Sequence, residues 1–168
     1  MIDAISFTAV RKPYGWLGNM SPHPVLATGE MWRTTEALFQ SMRFETKSEP
    51  WRVIHAERSP MGAKMMAKKF SNQMIVVPRS DADLLNMKVV LHIKMSQHAI
   101  LRQLLVETGE VLIVEDVSNR PTDSGLFWGA ARDGDDWRGQ NRLGNLWMEV
   151  RRDIRWIDAE ILSTKDGH

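Results

Sequence analysis

The chain has 168 residues, 22 Lys and Arg against 21 Asp and Glu, and no cysteine. This length suits one domain with its own core, and the missing cysteines exclude disulfides, cysteine-ligated zinc and thiol catalysis. The net charge of +1 argues against a dedicated nucleic-acid binder, and no apolar run reaches the roughly 18 residues of a membrane span. We therefore expect an unprocessed cytoplasmic protein with one domain over residues 1–168.

The first half of the chain predicts two short strands and then helices. Residues 4–10 are β-prone, residues 13–24 form a loop rich in Pro and Gly, and a second strand is expected near 25–26. Threonine caps and a Ser-Pro start signal predict two helices, over about 34–46 and 59–70.

Two more helices follow. Ser80 with Asp83 three residues on resembles a capping box, which would open a helix that carries Met87 on its apolar stripe. A further helix is expected to carry the apolar residues at 100, 101, 104 and 105. It should end at Gly109, because glycine favours the conformation that closes a helix.

The last third predicts one strand, one long loop and one long helix. Residues 111–114 form an apolar run of strand length, and residues 116–140 are rich in Gly, Asp, Asn and Pro. The final helix covers about 143–162, with its core face at Leu143, Leu146, Val150, Ile154, Ile157 and Ile161. The predicted fold class is α+β, a predominantly helical single domain with a few short strands.

One helix has a polar face that could carry chemistry. Glu36, Gln40, Arg43 and Lys47 fall within a narrow arc of the helix predicted over 34–46, away from its apolar stripe. Such a face is solvated in most helices. The alternative is that it lines a cleft and offers a carboxylate beside a guanidinium that could bind phosphate.

The two loops offer further candidates. The long loop contains Asp123, Trp128 and Asn141 among glycines such as Gly129. Glycine permits tight turns and close approach of the backbone to a ligand. The loop over 16–22 holds Gly18 and Asn19, and is either a plain turn or a backbone cradle for a polar ligand. The five histidines do not cluster at metal-ligand spacing, so we predict no metal site.

Several segments, taken in order, resemble the NADAR (YbiA-like) family, over about residues 5–155. They are Tyr14–Asn19, Trp32–Gln40, Ser59–Ala63, Met87 with Lys94, Leu104–Leu105 with Thr108–Gly109, Val114–Glu115, Trp128–Gly129 and Gln140–Arg151. The resemblance implies the NADAR/YbiA-like fold. It also implies hydrolysis of an N-glycosidic bond between a base and ribose or ADP-ribose, without a cofactor.

The resemblance also implies roles for single residues. Glu36 matches the key glutamate and Asp123 a partner acid, so both are predicted to be catalytic. The predicted substrate-binding residues are Gly18, Asn19, Gln40, Arg43, Trp128, Gly129 and Asn141. Arg43 and the helix start at Pro60 would hold phosphate, and Trp128 would stack on the base. The expected partner is a riboflavin-pathway ribosylaminouracil phosphate or ADP-ribosylated guanine in nucleic acid, with no membrane.

Two departures from the family pattern leave alternatives open. Arg43 stands where members usually have a lysine, which has been linked to an imine with opened ribose, and a guanidinium cannot form one. A common Trp before the helix that Ser80 opens is also absent. These changes favour a non-catalytic sensor of ADP-ribose or a related nucleotide as the second hypothesis. A third is a helical nucleic-acid binder that uses Arg151, Arg152, Arg155, Lys64, Lys68 and Lys69.

Overall fold

The computed structural model describes residues 4–165, and the ends of the predicted domain, 1–3 and 166–168, lie outside this description. Within it there are six short strands: β1 (Ala4–Phe7), β2 (Val25–Ala27), β3 (Glu30–Trp32), β4 (Leu112–Glu115), β5 (Ala131–Asp133) and β6 (Asp136–Arg138). The same residues form seven α-helices: α1 (Thr35–Ser41), α2 (Glu49–Ala56), α3 (Pro60–Lys69), α4 (Asp81–Gln97), α5 (Ala99–Glu107), α6 (Asp123–Trp128) and α7 (Arg142–Lys165). The predicted α+β class with a mainly helical body is confirmed.

The described chain divides into two compact units. The first unit is Phe7–His98, and the second unit combines residues 4–6 with 99–165. None of the helices in the described range has both the length and the apolar character needed to cross a bilayer.

The first unit is a group of four helices with one hairpin. Helix α1 packs on α2, α3 and α4, and the β2–β3 hairpin packs against α4. The hairpin turns at Thr28 and Gly29, which both have positive φ, as a tight two-residue turn between strands requires. At the far end of α4, Gln97 bonds to both backbone groups of Leu26 at 2.8 Å, which fixes β2.

Capping side chains set the starts of the helices in the first unit. Thr34, Ser48, Ser59 and Ser80 each accept a hydrogen bond from a first-turn backbone N–H of α1, α2, α3 and α4 respectively. The predictions for α3 and α4 are therefore confirmed, whereas α2 was not predicted.

Helix α1 is shorter than predicted. It ends at Ser41 instead of about Thr46, and in the turn that follows, the carbonyl of Arg43 accepts from the backbone N–H of Ile75 at 2.8 Å. Arg43 therefore lies in the turn after the helix. Lys47 is exposed with φ of 63°, so it does not share the face of Glu36.

The second unit is built on β4. Strand β4 pairs with β1 in a two-stranded sheet and packs on α7. On α7 the predicted core face holds for Leu143, Leu146, Val150 and Ile154, but Ile157 and Ile161 are 42% and 47% exposed. A four-residue strand spans about 13 Å, and Leu143 to Ile154 already covers about 16 Å of helix. The strand is too short to cover the end of the predicted face.

The predicted long loop over 116–140 contains regular structure, so that prediction was wrong. Thr122 caps α6 by accepting a hydrogen bond from Gly125 N at 3.1 Å. The strands β5 and β6 form a hairpin in which Asp133 pairs with Asp136 across a two-residue turn. Both features follow from local signals, a threonine cap and a Gly-Asp turn in which Gly134 has positive φ.

Of the three arginines on α7 that the nucleic-acid hypothesis uses, Arg152 is exposed, whereas the other two are held by the protein itself. Arg151 is 4% exposed, and its guanidinium donates to Thr108 Oγ1 at 2.8 Å and to the carbonyl of Val111 at 3.0 Å. Arg155 is paired with Glu110. These arginines hold the second unit together, which weakens the hypothesis of a nucleic-acid binder.

Candidate functional site

Three predicted site residues of the first unit are joined in one hydrogen-bonded chain. Gln40 Nε2 donates to Glu36 Oε1 at 2.8 Å, and Arg43 Nη1 donates to Gln40 Oε1 at 2.8 Å. The three residues are 7%, 4% and 7% exposed respectively. The interpretation of this face as a solvated helix surface is therefore wrong. The carboxylate of Glu36 is buried and bound by the amide of Gln40, which is bound in turn by Arg43.

Asp83 closes this chain at its other end. Its carboxylate accepts from Arg43 Nε at 2.8 Å and from Nη2 at 2.7 Å, and it also accepts from the backbone N–H of Arg79 at 2.7 Å. Asp83 is completely buried. A bidentate pair of this kind fixes the plane of the guanidinium. We refer to Glu36, Gln40, Arg43 and Asp83 as the α1 network.

This arrangement corrects the role expected for Asp83. Ser80 caps α4 as predicted, accepting from the backbone N–H of Asp83 at 3.3 Å. The Asp83 carboxylate does reach back to the helix start, at the backbone N–H of Arg79, and it binds the guanidinium of Arg43 as well. The guanidinium of Arg43 also lies 4.6 Å from the ring centre of Phe39.

Asn19 joins the loop over 16–21 to the start of α1. Its carbonyl accepts from the backbone N–H of Glu36 at 2.9 Å and from Thr35 Oγ1 at 3.2 Å. Its side-chain oxygen also accepts from Thr35 Oγ1 at 3.1 Å, and its amide nitrogen lies 2.9 Å from the sulfur of Met87. Asn19 therefore fixes the backbone that carries Glu36. The loop over 16–21 is thus more than a plain turn, because it orients the start of α1.

Lys94 on α4 holds the same loop. Its ammonium donates to the carbonyls of Trp16 at 2.6 Å and Gly18 at 3.1 Å, and to Ser21 Oγ at 2.8 Å. Burial lowers the pKa of Lys94 to about 7. Ser21 Oγ is also 3.0 Å from His23 Nδ1, and burial together with the charge of Lys94 lowers the pKa of His23.

The predicted acid of the second unit has a different setting. Asp123 is exposed and is the first residue of α6. A carboxylate in the first turn of a helix is favoured by the helix dipole, so this position has a structural explanation of its own. Trp128 ends the same helix, half-buried and with its ring 5.1 Å from that of Phe127.

Gly129 and Asn141 lie beside strand β4. A Cβ at Gly129 would overlap the carbonyl of Glu115, so the close approach expected there is to the protein's own backbone. The side chain of Asn141 donates to the carbonyl of Ile113 at 2.8 Å and accepts from the N–H of Glu115 at 3.1 Å. The side chain of Asn141 thus bonds to backbone groups of β4 as a neighbouring strand would. That Asn141 binds substrate stays a prediction.

The structure sorts the predicted site residues into two groups. Five belong to the first unit, where they are connected directly or through Lys94 and Thr35: Gly18, Asn19, Glu36, Gln40 and Arg43. Four belong to the second unit: Asp123, Trp128, Gly129 and Asn141.

The expected phosphate site at the start of α3 finds no support. Ser59 caps this helix by accepting from Gly62 N at 2.9 Å, as its sequence predicts. However, a Cβ at Gly62 would overlap the carboxylate of Glu57, so an acidic group of the chain itself already lies at this helix start. In the described part of the chain, no three His, Asp or Glu side chains are grouped closely enough to hold a metal ion.

Sequence reasoning gave no site role to Asp83 and Lys94. The signal was present in their spacing: both lie on the buried stripe of α4 that also carries Met87, Val90 and Leu91. A charged residue at a core position of a helix must find a buried partner, and this points to a polar network.

Comparisons with known proteins identify the family of this chain. The NADAR domain family matches residues 6–155. An N-glycosidase of Nostoc punctiforme is 34% identical over 156 residues, which cover 90% of this chain and 92% of that protein. N-glycosidase YbiA of Escherichia coli is 33% identical over 151 residues, with coverage of 89% and 88%.

A solved structure and a more distant relative extend the comparison. The NMR structure of Escherichia coli YbiA is similar with a TM-score of 0.76 at 31% identity, over 95% of this chain and 90% of that one. A riboflavin biosynthesis protein of Vibrio vulnificus is 24% identical over an alignment of 176 positions, which covers 99% of this chain but 45% of that protein. The family and fold expected from the sequence are thus confirmed: the chain belongs to the NADAR family and is an enzyme of the N-glycosyl hydrolase type.

Proposed function

We propose that this chain hydrolyses the N-glycosidic bond between a base and ribose or ADP-ribose, with Glu36 as its principal catalytic carboxylate. The observation that carries the proposal is the burial and fixation of Glu36 by Gln40 and by the backbone at Asn19. A carboxylate that is already oriented and shielded from water interacts more strongly with developing charge than a mobile one.

The chemistry of the bond explains why such a carboxylate is useful. As the bond between C1′ of ribose and the base nitrogen breaks, its electron pair leaves with the base and positive charge develops on C1′. Glu36 would stabilise this charge, or accept the proton of the water whose oxygen attacks C1′. The departing nitrogen then receives a proton from an acid, for which we propose Asp123.

The remaining residues would bind and orient the substrate. Gly18, Asn19 and Gln40 lie with Glu36 in the first unit. For Trp128 and Asn141 in the second unit, binding of the base or sugar is the proposed role. A half-buried indole such as Trp128 has a face on which a base could stack.

Arg43 has a narrower role than the sequence predicted. Asp83 and Gln40 take three of the five N–H donors of its guanidinium. We propose that Arg43 acts mainly by orienting Gln40 and through it Glu36, with two donors left for a phosphate. A guanidinium cannot form an imine, so the proposed route is direct attack by water.

Two substrate classes fit the proposal. One is a ribosylaminouracil phosphate, and the name of the Vibrio vulnificus relative supports this riboflavin-pathway class. The other is ADP-ribosylated guanine in nucleic acid. Both contain an N-glycosidic bond to ribose and a phosphate, the two features for which the predicted site residues are suited.

A second candidate function is a non-catalytic sensor of ADP-ribose. The observation in its favour is Arg43 at the lysine position of the family, with its guanidinium bound to Asp83. In this case the protein would bind ADP-ribose and have no turnover.

The test is a hydrolysis assay on ribosylaminouracil phosphate and ADP-ribosylated guanosine in parallel, with calorimetric binding of ADP-ribose. Release of the free base from one of the two substrates by the wild-type protein is the expected result. Binding without release from either substrate would establish the sensor, and neither binding nor release would contradict both functions.

A further inference from the structure

We propose that Lys94 is a positioning residue for the N-glycosidase reaction, which holds the loop over 16–21 so that Asn19 can fix Glu36. This inference rests on the proposed function for its effect on turnover. The contacts on which it depends lie within the first unit.

The first step is the contact between Lys94 and the loop. The side chain of Lys94 is fully buried, and its nitrogen binds two carbonyls and one hydroxyl from residues 16, 18 and 21. A lysine ammonium has three donors and no acceptor, which matches these three oxygens. Buried carbonyls need such a partner, since an unsatisfied one costs about 1–3 kcal/mol.

The second step runs from the loop to the carboxylate. Gly18, whose carbonyl Lys94 binds, directly precedes Asn19, whose carbonyl accepts from the backbone N–H of Glu36 at 2.9 Å. The single hydroxyl proton of Thr35 is shared between the carbonyl oxygen of Asn19 at 3.2 Å and its side-chain oxygen at 3.1 Å. A shift of the loop would therefore be transmitted to the first turn of α1.

The third step is that Glu36 is held from two sides. Gln40 orients its carboxylate from within α1, and Asn19 orients its backbone from the loop. Removing the Lys94 ammonium leaves the Gln40 contact in place. The expected result is an intact protein in which Glu36 is less well placed, and this differs from loss of the carboxylate itself.

The direct test is Lys94→Met, which keeps a long unbranched side chain and removes every donor. We expect kcat to fall about tenfold or more, with KM changed by less than about threefold, because positioning affects the transition state more than substrate binding. The amide hydrogens of Asn19 and Glu36 should exchange about tenfold faster or more, relative to the other amides of the first unit. The thermal midpoint should fall although the protein still folds, because two buried carbonyls lose their donor.

The matched control is Lys88→Met, the same chemical change on the same helix at a half-buried position. It should leave kcat, KM and both exchange rates unchanged. If Lys94→Met does not fold, Ser21→Ala removes one of the three acceptors and should still accelerate exchange at Asn19.

Amide exchange separates this inference from the proposed function. A wild-type protein that hydrolyses neither substrate contradicts the proposed function, and exchange still reports whether Lys94 holds the loop. Wild-type exchange at Asn19 and Glu36 in a folded Lys94→Met protein, or in Ser21→Ala where that variant replaces it, would overturn the inference. Wild-type kcat in an active, folded Lys94→Met protein would do the same.

Discussion

The α1 network and the segment over 116–141 use polar residues in opposite ways. In the α1 network, Glu36, Gln40, Arg43 and Asp83 bond to one another through their side chains, and all are less than one tenth exposed. In the second segment, Asp123 is exposed and Asn141 bonds to the backbone of β4.

This difference indicates which polar residues have a structural role. A side chain that satisfies backbone groups, as Asn141 does, has an evident structural reason to be there. The buried carboxylate of Glu36, which is bound by the side chain of Gln40, has a weaker one, because hydrophobic residues of similar volume often stabilise a core as well or better. We therefore propose that the chemistry is centred on Glu36 in the α1 network, with the 116–141 segment in a supporting role.

The strongest way to break the α1 network is Asp83→Ala. This change leaves the guanidinium of Arg43 buried without its carboxylate, which should lower the free energy of unfolding by about 3–5 kcal/mol. Urea unfolding would measure it, with Asp81→Ala in the exposed first turn of the same helix as control. A loss equal to that of the control would show that Asp83 does not hold the network.

An intermediate effect is expected at Asn141. Asn141→Ala removes the partners of two backbone groups of β4, and it places alanine at φ of 48°, so we expect a loss of about 2–4 kcal/mol. Asn141→Gly should lose about 1 kcal/mol less, because glycine adopts this conformation without strain. Unfolding curves of both variants would measure the difference. A rise in KM in a variant of unchanged stability would instead show a direct role in binding.

The smallest effect on stability is expected at Asp123. Asp123→Asn should change the free energy of unfolding by no more than about 1 kcal/mol, the upper range of a helix-dipole contribution at an exposed site. Its turnover should fall by about 10² or more if it protonates the leaving base. Steady-state rates beside thermal unfolding test both parts. Full activity would remove Asp123 from the mechanism and sharpen the contrast with Glu36.

Elements with local start signals could be predicted from the sequence. Helices α3 and α4 begin where Ser59 and Ser80 cap them, and β4 follows from its apolar run. Helix α2 could also have been found, since Ser48 caps it and proline stands at its second position. The end of α1 could not, because it depends on how Arg43 and the turn after Ser41 are held by other elements.

The site could be predicted only in part. The family resemblance pointed to Glu36 and Gln40, and the structure joins them by a direct hydrogen bond. The pairing of Arg43 with Asp83 links residues 40 positions apart, which no local pattern reveals. The same is true of Lys94, whose three acceptors lie more than 70 positions away in the sequence.

The central claim is that Glu36 is the carboxylate that drives cleavage, and Glu36→Gln tests it most directly. Glutamine keeps the shape and can still accept from Gln40, so fold and product binding should be preserved. It loses the charge and the capacity to take a proton, which together should reduce the rate by about 10²-fold or more. The measurement is single-turnover hydrolysis beside calorimetric binding of the product. The account predicts wild-type affinity with a rate below about one hundredth of wild type, and a variant that keeps more than about a tenth of the rate would contradict it.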